Sequence, residues 1–278
     1  MLKKIQRKSL LYKSGVEYAD YCVNHAEGCS HGCRFPCYAM NMKKRCGVIK
    51  DYDDWIKPKI VENALELLDE EIPRLKDKIK FVHLCFTTDP FMYGQNEIGE
   101  LTLKIIKRFN QDNIKCTVLT KGIYPKDLVD SDIYGKNNEY AITLVSLDDN
   151  FKKRFEPGAA PYNERIKSLK YLHDNGLKTW VSMEPYPTPN LVKQDLTTIL
   201  KEIKFVDKII FGKLNYNVKV SDFGSNKNFY EEQAGIVINF CMKNNIDYHI
   251  KYGTKKVDDK KTEEIFRSAS NRLFSYAV

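Results

Sequence analysis

Residues 80–109 read "KFVHLCFTTDPFMYGQNEIGELTLKIIKRF", a short apolar run, then a polar stretch, then a helical pattern. The run ending at Phe86 carries apolar residues on consecutive positions, as strands buried on both faces do. Beyond the polar stretch, Ile98, Leu101, Ile105 and Phe109 recur on one helical face. A strand followed by an amphipathic helix is the repeating unit of a parallel sheet. The fold class then depends on whether the unit recurs on either side.

It does. Strand patterns stand at 18–23, 115–120, 140–147, 178–184, 207–212 and 247–252. Between them run apolar stripes at helical spacing: Ile60, Ala64, Leu67, Leu68 and Ile72; Leu196, Ile199, Leu200 and Ile203; Ala234, Val237, Phe240 and Cys241. A further helix starts near Pro161 and stops at Gly176. Six or seven such units with short connections predict an α/β fold with a mainly parallel sheet and right-handed crossovers. An open doubly wound sheet and a complete or partial (β/α) barrel both satisfy this pattern. The lack of a glycine-rich dinucleotide fingerprint after the first strand lowers the doubly wound option.

In either architecture the chemistry gathers at the carboxyl ends of the strands. Those ends read "CFTTDP" (85–90), "TKG" (120–122), "SLDD" (146–149), "SMEPY" (182–186) and "GKLN" (212–215), all more polar than the strands before them. After the first strand comes "GCSHGCRFPCYAM" (28–40), which places Cys29, Cys33 and Cys37 within nine residues.

At 278 residues and 42% apolar content the chain can bury a large core, and a single domain spanning 1–278 is expected. No apolar run approaches the length of a membrane helix, and the basic N-terminus lacks a signal-peptide core, so a cytoplasmic protein with no membrane partner is expected. Of eight cysteines, five (22, 29, 33, 37 and 46) share one 25-residue window, a spacing that suits metal or redox chemistry better than a disulfide framework. The formal charge of +8 suits an ordinary solvated surface and also suits attraction to nucleic acid.

Three thiolates on one loop leave two readings open. A closed zinc site needs a fourth ligand, for which Cys22, His25, His31 and Cys46 are candidates, and would make the chain a structural or adaptor protein. A cubane iron–sulfur cluster held by three cysteines keeps one iron open to another molecule.

The second reading is joined by a family resemblance. "GCSHGC" followed by "CYA" resembles the cluster loop of radical S-adenosylmethionine (SAM) enzymes, in the branch that includes spore photoproduct lyase and its phage-associated relatives. The spacing here is C-x3-C-x3-C, one residue more between Cys33 and Cys37 than that branch carries. "FTTDPFMYGQNE" (86–97), "LTKG" (119–122), "RFEPGAAPYNERIKSLKYLHDNG" (154–176) and "SMEP" (182–185) are similar to the family's later motifs, in order.

The resemblance implies a partial (β/α)6 barrel over residues 18–215, with residues 216–278 adding a C-terminal β-α unit that closes its side. It implies a [4Fe-4S] cluster on Cys29, Cys33 and Cys37, SAM on the open iron, and a 5′-deoxyadenosyl radical that takes hydrogen from substrate. An electron donor such as flavodoxin or ferredoxin would serve it, and nucleic acid or a nucleobase is the expected substrate class, with lesion repair as one form. Thr87, Lys121 and Ser146 are carried over as SAM contacts, Asp89 as a ribose or loop-shaping group, and Glu184 as a partner of Lys213 or of the SAM amine. Cys85, two residues before Thr87, is at a place similar to that of a lyase cysteine that returns hydrogen to the product radical; its other reading is a small buried hydrophobe on the strand. Glu156 and Arg165 are expected to form a structural ion pair.

Overall fold

The computed structural model describes residues 1–255 except 16–19, 36, 216 and 225. The end of the basic stretch at 251–261 and the last part of the C-terminal extension, from 256 on, therefore lie outside the described residues. Among the described residues, eleven strands form two sheets. The large one contains β2 (Leu11–Lys13), β3 (Tyr21–Val23), β6 (Phe81–Leu84), β7 (Lys115–Thr120), β8 (Glu139–Thr143), β9 (Lys178–Tyr186), β10 (Lys208–Lys213) and β11 (Asp247–Ile250). The small one contains β1 (Lys3–Ile5), β4 (Ala26–Glu27) and β5 (Lys59–Val61).

The order of the large sheet is β11-β10-β9-β8-β7-β6-β3-β2, and every pairing is parallel except that of β2 with β3. From β3 to β11 each strand neighbours the next one in this sheet, with no reversal of order. A doubly wound sheet reverses direction at a switch point. Unreversed right-handed crossovers place all helices on one face and curl the sheet, the arrangement of a partial barrel. The six strands β3 and β6 to β10 make that barrel arc. The helix Asn226–Asn244 and β11 add one more unit at its edge.

The helices follow their apolar stripes. Ile98, Ile105 and Phe109 are fully buried on the helix Asn96–Gln111. Leu196, Ile199 and Leu200 are buried on the helix Leu196–Glu202. The helix Tyr162–Asp174 begins just after Pro161, whose fixed φ precedes the first turn, and Gly176 (φ 82°) ends the segment.

One assignment changes. Ile60, which shares helical spacing with Ala64, lies in β5, and the helix starts only at Ala64. The small sheet, which strands of two or three residues conceal in the sequence, pairs β1 parallel and β4 antiparallel with β5. Its effect is local to the cysteine loop. β4 delivers the chain to Gly28, and the Cys29 amide then donates to the Trp55 carbonyl at 2.9 Å.

Candidate active site

The cysteine loop is clamped from several sides. The His31 carbonyl accepts from the Gly158 amide at 3.1 Å, and the Arg34 amide donates to the Phe155 carbonyl at 2.8 Å. Only glycine fits at 158, since a Cβ there would stand 2.0 Å from the Ser30 carbonyl oxygen. The stretch that carries the additional residue is anchored by its aromatic side chain. Phe35 is buried and stacks on Phe155 at 5.4 Å, with Phe151 at 5.8 Å. Pro36 lies outside the described residues.

His31 and Asp89 join the loop to the strand ends. His31 Nε2 accepts from the Tyr93 amide at 2.9 Å, so the ring hydrogen sits on Nδ1 and faces Asp89 Oδ2 at 3.4 Å. Burial holds the His31 pKa down at about 4, partly offset by Asp89, and keeps the ring neutral. Asp89 also accepts from the Thr120 hydroxyl at 2.5 Å, the Phe91 amide at 3.0 Å and the Lys121 amide at 2.7 Å. With these partners the carboxylate fixes the turn after β6 and the end of β7 together.

Beneath the loop lies a buried charged group of three. Lys121 Nζ stands 2.7 Å from Glu156 Oε1 and 3.5 Å from Cys33 Sγ, and Arg165 reaches Glu156 Oε2 at 2.8 Å. Glu156 and Arg165 have no solvent exposure. Burial favours a neutral Glu156, yet the charges of Lys121 and Arg165 outweigh it and press the pKa down to about 2. Burial likewise opposes the Lys121 charge, but Cys33 and Glu156 outweigh it and raise its pKa. The expected pair of Glu156 and Arg165 is present, and it extends to Lys121.

The remaining residues take distinct positions. Thr87 directs both its amide and its hydroxyl to Asn24 Oδ1, each at 3.0 Å. The Ser146 hydroxyl is fully buried and accepts from the Asp148 amide at 3.1 Å. Glu184 pairs with Lys251 at 3.2 Å, a different lysine from the expected Lys213. Cys85 is buried with φ 62°, and its sulfur lies 3.5 Å from His25 Nδ1. Asn24 and His25, directly after β3, are contacts that the sequence offers no spacing to find.

Cys22 is buried in the sheet. Cys46 is exposed at the far end of the helix Tyr38–Arg45, whose N-cap is Cys37. At 1.5 Å of rise per residue the two lie roughly 13 Å apart. Cys46 therefore cannot stand in for Cys37, as its closeness in sequence suggests.

Do these residues suit an iron–sulfur cluster? The thiols of Cys29, Cys33 and Cys37 are all free and half-buried on one loop. Burial pushes the Cys33 thiol up to about 11 and Cys29 well above its ordinary value, so both stay neutral until a cation offsets the burial. Ser30 Oγ, inside the loop, is buried with no hydrogen-bond partner among the described residues. Among the described residues no three His, Cys, Asp or Glu side chains converge on a single point as one ion requires. Thiolates of a cubane bind separate irons and need no such convergence. The donor set fits.

The chain is similar to several known proteins. The chain is 28% identical over 203 residues to the uncharacterized protein ORF301 of Acidianus two-tailed virus, covering 68% of this chain and 65% of that one. It is 29% identical over 217 residues to the uncharacterized protein MJ0683 of Methanocaldococcus jannaschii, covering 76% and 77%. It is 25% identical over 165 residues to spore photoproduct lyase of Bacillus subtilis, covering 58% of this chain and 44% of the lyase. In fold it resembles a solved spore photoproduct lyase complexed with dinucleoside spore photoproduct, with a TM-score of 0.66 and 14% identity over 90% of this chain and 82% of that one. Residues 23–203 match the radical SAM superfamily, and the chain belongs to it.

Proposed function

We propose that this radical SAM enzyme acts on a nucleobase, as a free lesion or within nucleic acid, and that Cys85 returns a hydrogen to the product. Membership implies a [4Fe-4S] cluster and SAM, for which Cys29, Cys33 and Cys37 are the proposed cluster ligands. When bound, these groups supply the reductive cleavage of SAM and the 5′-deoxyadenosyl radical that abstracts hydrogen.

The chain's own residues do the rest. Asp89 and His31 fix the loop against the strand ends, the loop-shaping role of the two offered for Asp89. Lys121 sets a positive charge beside the Cys33 sulfur, where it favours a thiolate. The Ser146 hydroxyl is a candidate contact for the SAM carboxylate, with Thr87 nearer the hydrogen-donor side through Asn24. Glu184, half-buried at the end of β9, is available to a ligand amine in exchange for Lys251.

The observation that carries the reading is Cys85, a buried thiol held in the left-handed region at the end of β6, two residues before Thr87. The lyase that the chain resembles is solved with a dinucleoside lesion, which supports the substrate class. Exposed Tyr38 and Tyr93, on and beside the cysteine loop, offer aromatic faces to a base. Among the described residues no helix is long and apolar enough to cross a membrane, in keeping with a substrate and a flavodoxin- or ferredoxin-type donor met in solution.

The test is electron paramagnetic resonance on anaerobically reconstituted, dithionite-reduced protein, with and without SAM, followed by assay of 5′-deoxyadenosine and of products from dinucleoside spore photoproduct. A reduced-cluster signal that shifts with SAM supports the cofactor assignment. Turnover of the dinucleoside to a hydrogen-returned product, lost in Cys85→Ala, supports the substrate and donor roles. SAM cleavage that no nucleobase probe stimulates would reject the substrate class alone.

A further inference from the structure

Lys121 follows the end of β7, and the family resemblance carries it over as a SAM contact. Its ammonium has three hydrogens to place. One goes to Glu156 Oε1 at 2.7 Å, and one to Cys33 Sγ at 3.5 Å, within the longer reach of a sulfur acceptor. The nitrogen also lies over the Phe35 ring, 5.1 Å from its centroid, a cation–π distance that accounts for the third. The side chain keeps only 15% exposure. A carboxylate arriving with SAM would find no hydrogen of this ammonium free.

The ammonium is also fixed from every direction. The Lys121 amide donates to Asp89 Oδ2 at 2.7 Å, and the Lys121 carbonyl accepts from the Ala160 amide at 3.0 Å, so the backbone is held on both sides. Glu156 is held in turn by Arg165, which also donates to the Ala160 and Thr143 carbonyls at 2.9 and 3.0 Å. Phe35 is stacked on Phe155. Two cations and one carboxylate leave this group with one positive charge in excess. It lies out of water, where a charge is felt at greater strength than on the surface.

A fixed cation against one thiolate has a definite effect on a cluster held there. Reduction adds one negative charge beside the cysteine sulfurs. A nearby positive charge and an N–H···S bond stabilise that reduced form more than the oxidised one, and both are among the levers by which a protein sets the potential of such a cluster.

We propose that Lys121, through Cys33, makes the cluster easier to reduce, and that it is not a ligand of SAM. This rests on the reading of Cys33 as a cluster ligand. No transfer step is added to that reading, because the electron comes from the donor protein and Lys121 neither gains nor loses a proton.

The test uses the anaerobically reconstituted full chain without SAM, poised with dithionite and redox mediators at one potential where the wild type is partly reduced. Electron paramagnetic resonance reads the ratio of reduced to oxidised cluster. Lys121→Met removes the charge and the N–H groups while Arg165 still satisfies Glu156. The ratio should fall about tenfold, which for one electron is a downward shift of about 59 mV. The dissociation constant of SAM from the oxidised protein, by equilibrium dialysis, should stay within about three-fold. Glu156→Gln keeps the ammonium and removes the opposing carboxylate, so there the ratio should rise.

An unchanged ratio in Lys121→Met overturns the proposal. So does a SAM dissociation constant raised beyond three-fold, the result that a direct contact to SAM predicts. Movement of the ratio in the same direction in Lys121→Met and Glu156→Gln overturns it too, because a merely loosened loop would not follow the sign of the charge removed. Should Lys121→Met fail to load iron, Lys121→Gln, which keeps an N–H donor, takes its place with a smaller fall expected. Failure of the underlying reading is separate: Cys33→Ala would then load iron and sulfide as the wild type does.

Discussion

The ends of β3, β6 and β7 and the ends of β9, β10 and β11 belong to one sheet, yet they treat charge in opposite ways. On the first side His31, Asp89, Glu156 and Arg165 are buried and every one is held by a partner within the chain. On the second, Glu184 and Lys251 form a pair whose side chains keep 24% and 21% exposure, and Tyr252 stands 68% exposed beside them. A buried polar network fixes its members before any ligand arrives, while a half-exposed pair can exchange partners at small cost. The difference suits the proposed roles, in which the first side holds the cofactor and the second meets what varies.

The comparison is broken most severely at the cysteines. Cys29→Ala, Cys33→Ala or Cys37→Ala should abolish iron and sulfide loading on anaerobic reconstitution, whereas Cys46→Ala at the far end of the helix should load as the wild type does. Equal losses in Cys46→Ala and Cys37→Ala would mean that the loop binds its metal in another way.

Next in size is Glu156→Gln, which leaves the charges of Lys121 and Arg165 buried with no carboxylate between them. Breaking such a group by removing one partner costs about 3–5 kcal/mol, to be read from denaturant unfolding. The pH dependence has a definite sign. The Glu156 pKa is about 2 in the folded chain, below the ordinary carboxyl value of 4.5, so the folded state binds fewer protons there. Its contribution is fully present above about pH 4.5 and is lost as pH falls towards 2. Glu156→Gln should flatten the stability profile in that window, and a slope equal to the wild type's would show that other carboxylates cause it.

Much of the first side is legible in the sequence. Parallel strands announce their ends, and at those ends "TTDP", "TKG" and the cysteine loop stand out against apolar runs. What stays hidden is whatever depends on distant contact. Strands β1 and β5 are three residues each, too short to show alternation, and they pair across more than fifty residues. Ile60 sits four residues before Ala64 and so mimics a helix face. His25 is a lone polar residue after a strand until Cys85, 60 residues on, is brought against it. The choice of Lys251 over Lys213 for Glu184 is made by β11, which lies next to β10 and brings its own lysine to the same end.

A gentler way to sharpen the comparison is Gly158→Ala. The new methyl would press on the Ser30 carbonyl and move the cysteine loop, with an overpacking cost of about 1–3 kcal/mol. The displacement falls on the loop that carries the thiols, so iron loading should drop before the melting temperature does. At Gly94, where φ is 76° but a Cβ would meet nothing within 4 Å, an alanine adds backbone strain alone and should leave loading intact.

The smallest effect belongs to the second side. Lys251→Ala removes one partner of Glu184 from a half-exposed pair, worth about 0–1 kcal/mol and further weakened by salt. Stability should therefore hardly move. If that end of the sheet meets a ligand, the loss will appear in the KM for SAM or for the dinucleoside probe, and which of the two rises tells which of them Glu184 faces. A large loss of stability with both KM values unchanged would make Lys251 and Glu184 part of the same fixed framework as Glu156, and the two sides of the sheet would no longer differ in kind.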